Sequence, residues 1–285
     1  MGELGPMARV QMGDTTMQRC AMTWTLSVLL IASAATAFGA TVDEKGQNWT
    51  ITTDQYTIVW NVDAQGGYSS IIPVGNDDTD MFGAGGRNLY HSANYAGWKD
   101  WGATADADII EEDGGKIVMS FVQEDGASKN YHVTATYWDG VPYWKHELTV
   151  EAVADVTSFS DGHEPMVEPR NGFGLDNEYE KWDAPFAHAA FANDSGYFAI
   201  YTEEGTARTH AWQDDGRMDL EHNNLGVALN ADDFSDPITY YMATAVGDLD
   251  DAHDLAEIVT KEPAEVLAVS AKGKLTTSWG DLRAR

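Results

Sequence analysis

The chain has 285 residues, of which 17 are lysine or arginine and 46 are aspartate or glutamate, so its net charge at pH 7 is −29. That charge argues against nucleic acid as a partner, which needs basic patches, and against docking on anionic membranes. Two interpretations of the acidity stay open: solubility in a salty setting, where salt screens the repulsion, or divalent cation binding by some of the carboxylates.

Residues 22–40 have the pattern of a secretory signal. Their apolar core, residues 24–34, is too short for a membrane span, and small residues follow it. We predict cleavage after Ala37 or Gly39, so that residues 1–39 are an N-terminal extension with signal peptide and residues 40–285 are a single domain. The protein is then secreted, periplasmic or on the cell surface, with no membrane contact after cleavage. Cys20 is the only cysteine, so the mature chain has no disulfide.

The predicted elements after the signal are almost all strands. Alternating β-branched and aromatic residues, separated by Gly, Asp and Pro, are typical of antiparallel strands. Two long stretches, residues 88–102 and 158–185, lack a clean period and are predicted to be ordered, functional loops. Strands are expected at residues 49–60 (one strand or a pair), 68–74, 108–112, 116–124, 187–191, 196–202, 207–213, 226–229, 238–245 and 272–282.

The central feature is a hairpin over residues 129–153. Two alternating runs are separated by Asp139-Gly140, a strong hairpin signal. The predicted inner face carries Tyr131, Val133, Ala135, Tyr137, Trp144, His146, Leu148 and Val150.

One helix is expected near the C-terminus, at residues 248–260. Asp248 can cap its start and Pro263 ends it. Because strands and helices do not alternate, a parallel α/β fold is disfavoured. The predicted fold is all-β: an antiparallel β-sandwich with one short helix.

The order of these pieces resembles the galactose mutarotase-like β-supersandwich, a superfamily of carbohydrate-active proteins. The resemblance rests on a strand pair closed by Gly-Gly-Tyr-Ser at residues 66–69, on the central hairpin, and on ITYYMATAVGD at residues 238–248 before a short helix. It implies a concave sheet face that binds carbohydrate. The histidine motifs and catalytic carboxylate of the epimerases are not recognisable, since His222-Asn223-Asn224 is only a faint echo.

Aromatic residues are the first candidates for ligand binding. Sugar rings stack on flat aromatic faces, which offer a large contact area at low entropic cost. The alternative is that these rings plug the end of a sandwich core. The predicted substrate-binding residues are Tyr90, His91, Tyr95, Trp98, Lys99, Trp101, Trp144, Glu164 and Trp182.

The predicted catalytic residues are His163, His146 and Arg170. An arginine fork can hold a uronate carboxylate while a histidine moves the proton, as β-elimination requires. Arg87, Lys99, Lys145 and Arg170 should then converge on one cleft with a histidine. Two alternatives stay open: His146 is an ordinary core histidine, and residues 158–185 form a loop tied by an Arg–Glu pair.

No cofactor and no metal are predicted, although the oxygen ligands of Asp176, Glu178 and Asp183 would suit Ca²⁺. The favoured function is a secreted protein that binds or acts on extracellular polysaccharide. The alternatives are a polysaccharide lyase or glycosidase on the same scaffold, and a non-catalytic envelope protein. Nothing in the sequence indicates an oligomeric state.

Overall fold

A computed structural model describes residues 39–46, 48–61, 67–76, 80–81, 89–93, 104–124, 129–156, 162–167, 178–210, 217–222 and 228–263. These residues form strands and one short helix. In chain order they are β1 Thr41–Lys45, β2 Asn48–Thr52, β3 Tyr56–Asn61, β4 Gly67–Pro73, β5 Leu89–Ala93, β6 Thr104–Asp113, β7 Lys116–Glu124, β8 Lys129–Trp138, β9 Tyr143–Ala152, β10 Gly162–Val167, β11 Glu178–Trp182, β12 Ala187–Asn193, β13 Gly196–Thr202, β14 Gly205–His210, β15 Arg217–His222, β16 Ile238–Ala245 and α1 Leu249–Leu255.

The described strands form three antiparallel sheets. The large sheet has the order β11-β12-β13-β16-β9-β8-β7-β6. The N-terminal sheet has the order β1-β2-β3-β4, and the small sheet has the order β14-β15-β10-β5. The predicted all-β sandwich with a single short helix is therefore confirmed.

The central hairpin is β8 and β9, at the heart of the large sheet. Its register pairs Tyr131 with Val150 and Tyr137 with Trp144, so the predicted inner face forms as expected. The turn is sharp because Gly140 adopts a φ of 79°, a conformation that favours glycine.

The main core lies where the N-terminal and small sheets pack on the large sheet. Trp60 stacks on Phe121 with ring centroids 4.2 Å apart, and Tyr56 packs against Trp144 at 5.0 Å. Such pairs contribute about 0.5–1.5 kcal/mol beyond the area they bury. The small sheet adds Val167, Ala207, Met218 and Leu220 to this core.

The opposite face of the large sheet packs on α1. Ala252 and Leu255 of the helix join a second core cluster with Tyr143 and Tyr201 of the sheet. Asp248 caps the helix as predicted, in a capping box with Asp251. The helix itself is shorter than the predicted residues 248–260.

Several boundaries differ from the sequence-based expectations. The predicted loops contain strands, because β5 lies within residues 88–102, and β10 and β11 lie within residues 158–185. Strand β15 was not predicted. The predicted strand at residues 226–229 lies partly outside the described residues, and its last residue, Leu229, forms an isolated bridge with Val156. The predicted strand at residues 272–282 lies outside the described residues.

Candidate functional site

The small sheet brings four predicted site residues onto neighbouring strands. Tyr90 and His91 lie on β5, and His163 and Glu164 lie on β10. The two strands pair directly, with His163 opposite Ser92, and paired strands are about 4.8 Å apart. Tyr90 pairs with Met166, and the register shifts between His163 and Met166. Irregularities of this kind re-aim side chains and are common next to functional sites.

Strand β15 adds polar residues that were not predicted as part of the site. Asp219 and His222 are buried, and Glu221 is half-buried. Glu221 lies opposite His163 in the sheet, and the Arg208 guanidinium of β14 forms an ion pair with its carboxylate. The alternation of Met218, Leu220 and His222, all buried, was the only sequence signal for this strand.

Behind the small sheet, in the main core, four polar side chains form a buried relay. The Tyr68 hydroxyl lies 2.7 Å from the Tyr137 hydroxyl and 2.6 Å from Nε2 of His146. Nδ1 of His146 lies 3.0 Å from the Tyr240 hydroxyl. The Tyr240 ring in turn contacts His222 of the small sheet, with centroids 6.4 Å apart. The relay therefore connects the large sheet to the edge of the candidate site.

Burial keeps this relay neutral. Desolvation lowers the pKa of His146 to about 3, because an imidazolium is costly to bury. Desolvation also raises the pKa of Tyr68 and of Tyr137 above the usual value of a phenol. At neutral pH the relay is thus a set of uncharged hydrogen-bonding groups that joins the sheets.

Two predicted site residues lie in this core instead of at a surface. The side chains of Trp144 and His146 are fully buried, and the Trp144 ring contacts Tyr56 and Tyr68. For His146 this is the core arrangement that the sequence left open as an alternative. Neither side chain is accessible to a polysaccharide in this structure.

Trp182 lies on the other face of the large sheet, beside α1. Its ring stacks on His188 and His253, at centroid distances of 4.9 and 5.0 Å. The two imidazoles are nearly coplanar and hydrogen-bonded, with 2.9 Å between Nε2 of His188 and Nδ1 of His253. The Trp182 ring, predicted to stack on a sugar, is therefore stacked on two histidines of the protein itself.

The expected convergence of basic residues is not supported by Lys145. Successive residues of a strand point to opposite faces, so Lys145 lies on the face opposite to its neighbour His146. Its ammonium group is 3.0 Å from the Glu147 carboxylate. The other predicted members lie outside the described residues, together with the remaining aromatic candidates: Arg87, Tyr95, Trp98, Lys99, Trp101 and Arg170.

Of the three residues that would suit Ca²⁺, Asp176 lies outside the described residues, whereas Glu178 and Asp183 lie within them. Glu178 begins β11 and Asp183 follows its end. Within the described part of the chain, no three His, Cys, Asp or Glu side chains are grouped to hold a metal ion. The helix of that part is also too short and too polar to cross a membrane.

Comparisons with known proteins give likeness in structure alone. No protein-family model and no curated protein matches the sequence. The galactosidase domain of the α-galactosidase-sucrose kinase AgaSK matches 73% of this chain, with a TM-score of 0.50 and 7% identity. YidC from Thermotoga maritima matches 78% of it, with a TM-score of 0.43 and 10% identity.

This chain spans less than two thirds of either protein, 42% of the galactosidase chain and 58% of the YidC chain. A galactose mutarotase-related enzyme from Lactobacillus acidophilus matches 71% of this chain and is itself covered to 98%, with a TM-score of 0.43 and 10% identity. Carbohydrate-active enzymes are thus among the structural neighbours. At these identities the likeness concerns the fold alone.

Proposed function

We propose that this protein is secreted and binds extracellular polysaccharide through the small sheet. The observation that carries the proposal is the pairing of β5 with β10, which places Tyr90 and His91 on the strand next to the one that carries His163 and Glu164. Aromatic and polar residues on adjacent strands suit a sugar, which needs both a stacking surface and hydrogen-bonding partners. The fold shared with the galactosidase domain supports the same class of ligand.

The charge distribution favours a neutral polysaccharide over a polyuronate. The net charge of −29 repels polyanions at long range, and in the small sheet Arg208 is already paired with Glu221. Lys145 is paired with Glu147. Because Arg208 and Lys145 are both paired, neither of these two described cations is available to neutralise a uronate carboxylate, as β-elimination requires.

Binding assays with neutral and acidic polysaccharides test the proposal. We expect the mature chain to be retained by neutral polysaccharide, and Tyr90→Ala and His163→Ala to weaken retention. Val74→Ala, which changes an exposed residue just after the end of β4, serves as the control and should bind like the wild type.

The same incubations separate the alternatives. An unsaturated uronate product, detected by its ultraviolet absorbance, would indicate a lyase, and release of reducing ends would indicate a glycosidase. If no polysaccharide is retained at any salt concentration, the protein is better explained as a structural envelope protein.

Secretion is proposed from residues 22–40 alone. Expression of the full chain in a bacterial host should yield a mature protein outside the cytoplasm, with an N-terminus at residue 38 or 40. An intact N-terminus on cytoplasmic protein would contradict this part of the proposal.

A further inference from the structure

The outer face of the large sheet, on the side away from the buried relay, presents an exposed aromatic ring. Phe234 is 53% exposed, whereas Phe121, Phe191 and Phe198 are buried and Phe186 is half-buried. Leaving half of such a ring in water forgoes part of the free energy that burial would provide. A single exposed apolar residue is ordinary on a protein surface, so its meaning depends on how it is held and on its neighbours.

The backbone holds Phe234 rigidly beside the end of β9. The Ala152 N–H donates to the Asp233 carbonyl at 2.9 Å, and the Ser235 N–H donates to the Val150 carbonyl at 2.8 Å. The Ser235 hydroxyl accepts from the Val150 N–H at 3.0 Å. These bonds on both sides of Phe234 fix the chain, so the exposure of the ring is built into the fold.

A polar cluster adjoins this ring. Nε2 of His132 donates to Oε2 of Glu151 at 2.8 Å, and the Asn130 amide donates to the same oxygen at 3.0 Å. The His132 ring lies 5.4 Å from the Phe234 ring, and Phe234 forms a backbone bridge with Glu151. Aromatic and polar groups thus occupy one small region of three neighbouring chain segments.

The Glu151 carboxylate can accept further hydrogen bonds. Its bonds from His132 and Asn130 lower its pKa, so it is ionised at neutral pH. Both donors bond Oε2, which leaves Oε1 as the second acceptor of the carboxylate. The Glu151 side chain is 25% exposed, and an ionised carboxylate that is partly exposed can accept from a ligand hydroxyl.

We propose that Phe234, His132, Asn130 and Glu151 form a binding subsite for a neutral sugar ring. The apolar face of the sugar stacks on Phe234, and a sugar hydroxyl donates to Oε1 of Glu151. The subsite rests on the proposed carbohydrate function but is separate from the small sheet. It adds a second contact region for the same class of ligand.

The surroundings of the cluster favour a neutral ligand and allow a chain of rings. Alternate residues of β9 form a row on the same face as Glu151. After Glu151 this row contains Thr149, Glu147 and Lys145, which are half-buried. From Glu151 to Lys145 this row spans about 20 Å at the usual rise of a strand. Within this row Lys145 is paired with Glu147, so the Glu151 carboxylate leaves the row negative and would repel a uronate, while hydroxyl and carboxylate oxygens can accept from several neutral rings.

The test is calorimetric titration of the mature chain with three neutral hexasaccharides: galactohexaose, cellohexaose and mannohexaose. For the sugar that binds, Phe234→Ala should weaken the affinity roughly 2- to 12-fold, as expected for loss of one stacked ring. Phe234→Trp should retain or improve the affinity. Glu151→Gln should weaken it about tenfold, because the amide oxygen that replaces the carboxylate accepts a weaker hydrogen bond from the sugar.

Ile110→Ala is the matched control, since Ile110 is 61% exposed on β6 and its loss should leave the affinity unchanged. If Phe234→Ala behaves like Ile110→Ala while Tyr90→Ala abolishes binding, the subsite is wrong and the proposed function stands. If the wild-type chain binds none of the three sugars or their polymers, the proposed function is wrong and the subsite falls with it.

Discussion

Acidification should destabilise the fold through His146. Above pH 6.5 the imidazole is neutral in both the folded and the unfolded chain, so it contributes no pH dependence. Below that value His146 binds a proton in the unfolded chain. In the folded chain it stays neutral until about pH 3, because its pKa is lowered to that value. Stability is therefore lost as the pH falls from 6.5 towards 3. At pH 4 the loss is about 3 kcal/mol, since each pKa unit corresponds to about 1.4 kcal/mol.

Urea unfolding of the mature chain at pH 7 and pH 4, followed by tryptophan fluorescence, measures this loss. The many carboxylates also titrate in this range, so the wild type must be compared with His146→Gln. That variant should be less stable at pH 7 but should lose about 3 kcal/mol less between the two pH values. An independent measurement is the NMR shift of the His146 ring, which should stay neutral at pH 4. An equal loss in both proteins, or a charged His146 at pH 4, would refute the reasoning.

Three further predictions concern stability. Tyr68→Phe removes the hydroxyl that bonds both Tyr137 and His146, and should cost about 1–3 kcal/mol in urea unfolding; a change below 0.5 kcal/mol would mean that the relay contributes little. Asp248→Ala removes the helix cap and should cost about 1 kcal/mol, whereas Asp254→Ala, which removes no cap, should cost less. The melting temperature should rise from 0.01 M to 1 M NaCl, because the Debye length shortens from about 30 Å to about 3 Å and screens the charge of −29; a flat or falling curve would count against this.

The sequence predicts best the elements whose signals are local. The alternation in β8 and β9, with Asp139-Gly140 between them, is enough to define the hairpin and its buried face. The cap at Asp248 is likewise a property of a few consecutive residues. Short strands such as β5 and β10 carry too few residues to show a period. They become strands because each finds a partner that is distant in the sequence.

The site residues show the same limit. Alternation assigns Trp144 and His146 to one face, but it does not tell whether that face is open or covered. The N-terminal sheet covers it, through Tyr56 and Tyr68, and this packing is not a local property of the hairpin. The cluster at Phe234 was missed for a related reason, since His132 and Glu151 meet only through the register of β8 and β9.

The central claim is that this acidic sandwich binds neutral polysaccharide. The most direct measurement is the affinity of the mature chain for a neutral polysaccharide and for a polyuronate of equal length, by calorimetry at low and high salt. The account predicts binding of the neutral polymer with an affinity that hardly changes with salt, and weaker binding of the polyuronate. Tighter binding of the polyuronate that weakens as salt rises would contradict it, and so would the absence of binding to either polymer.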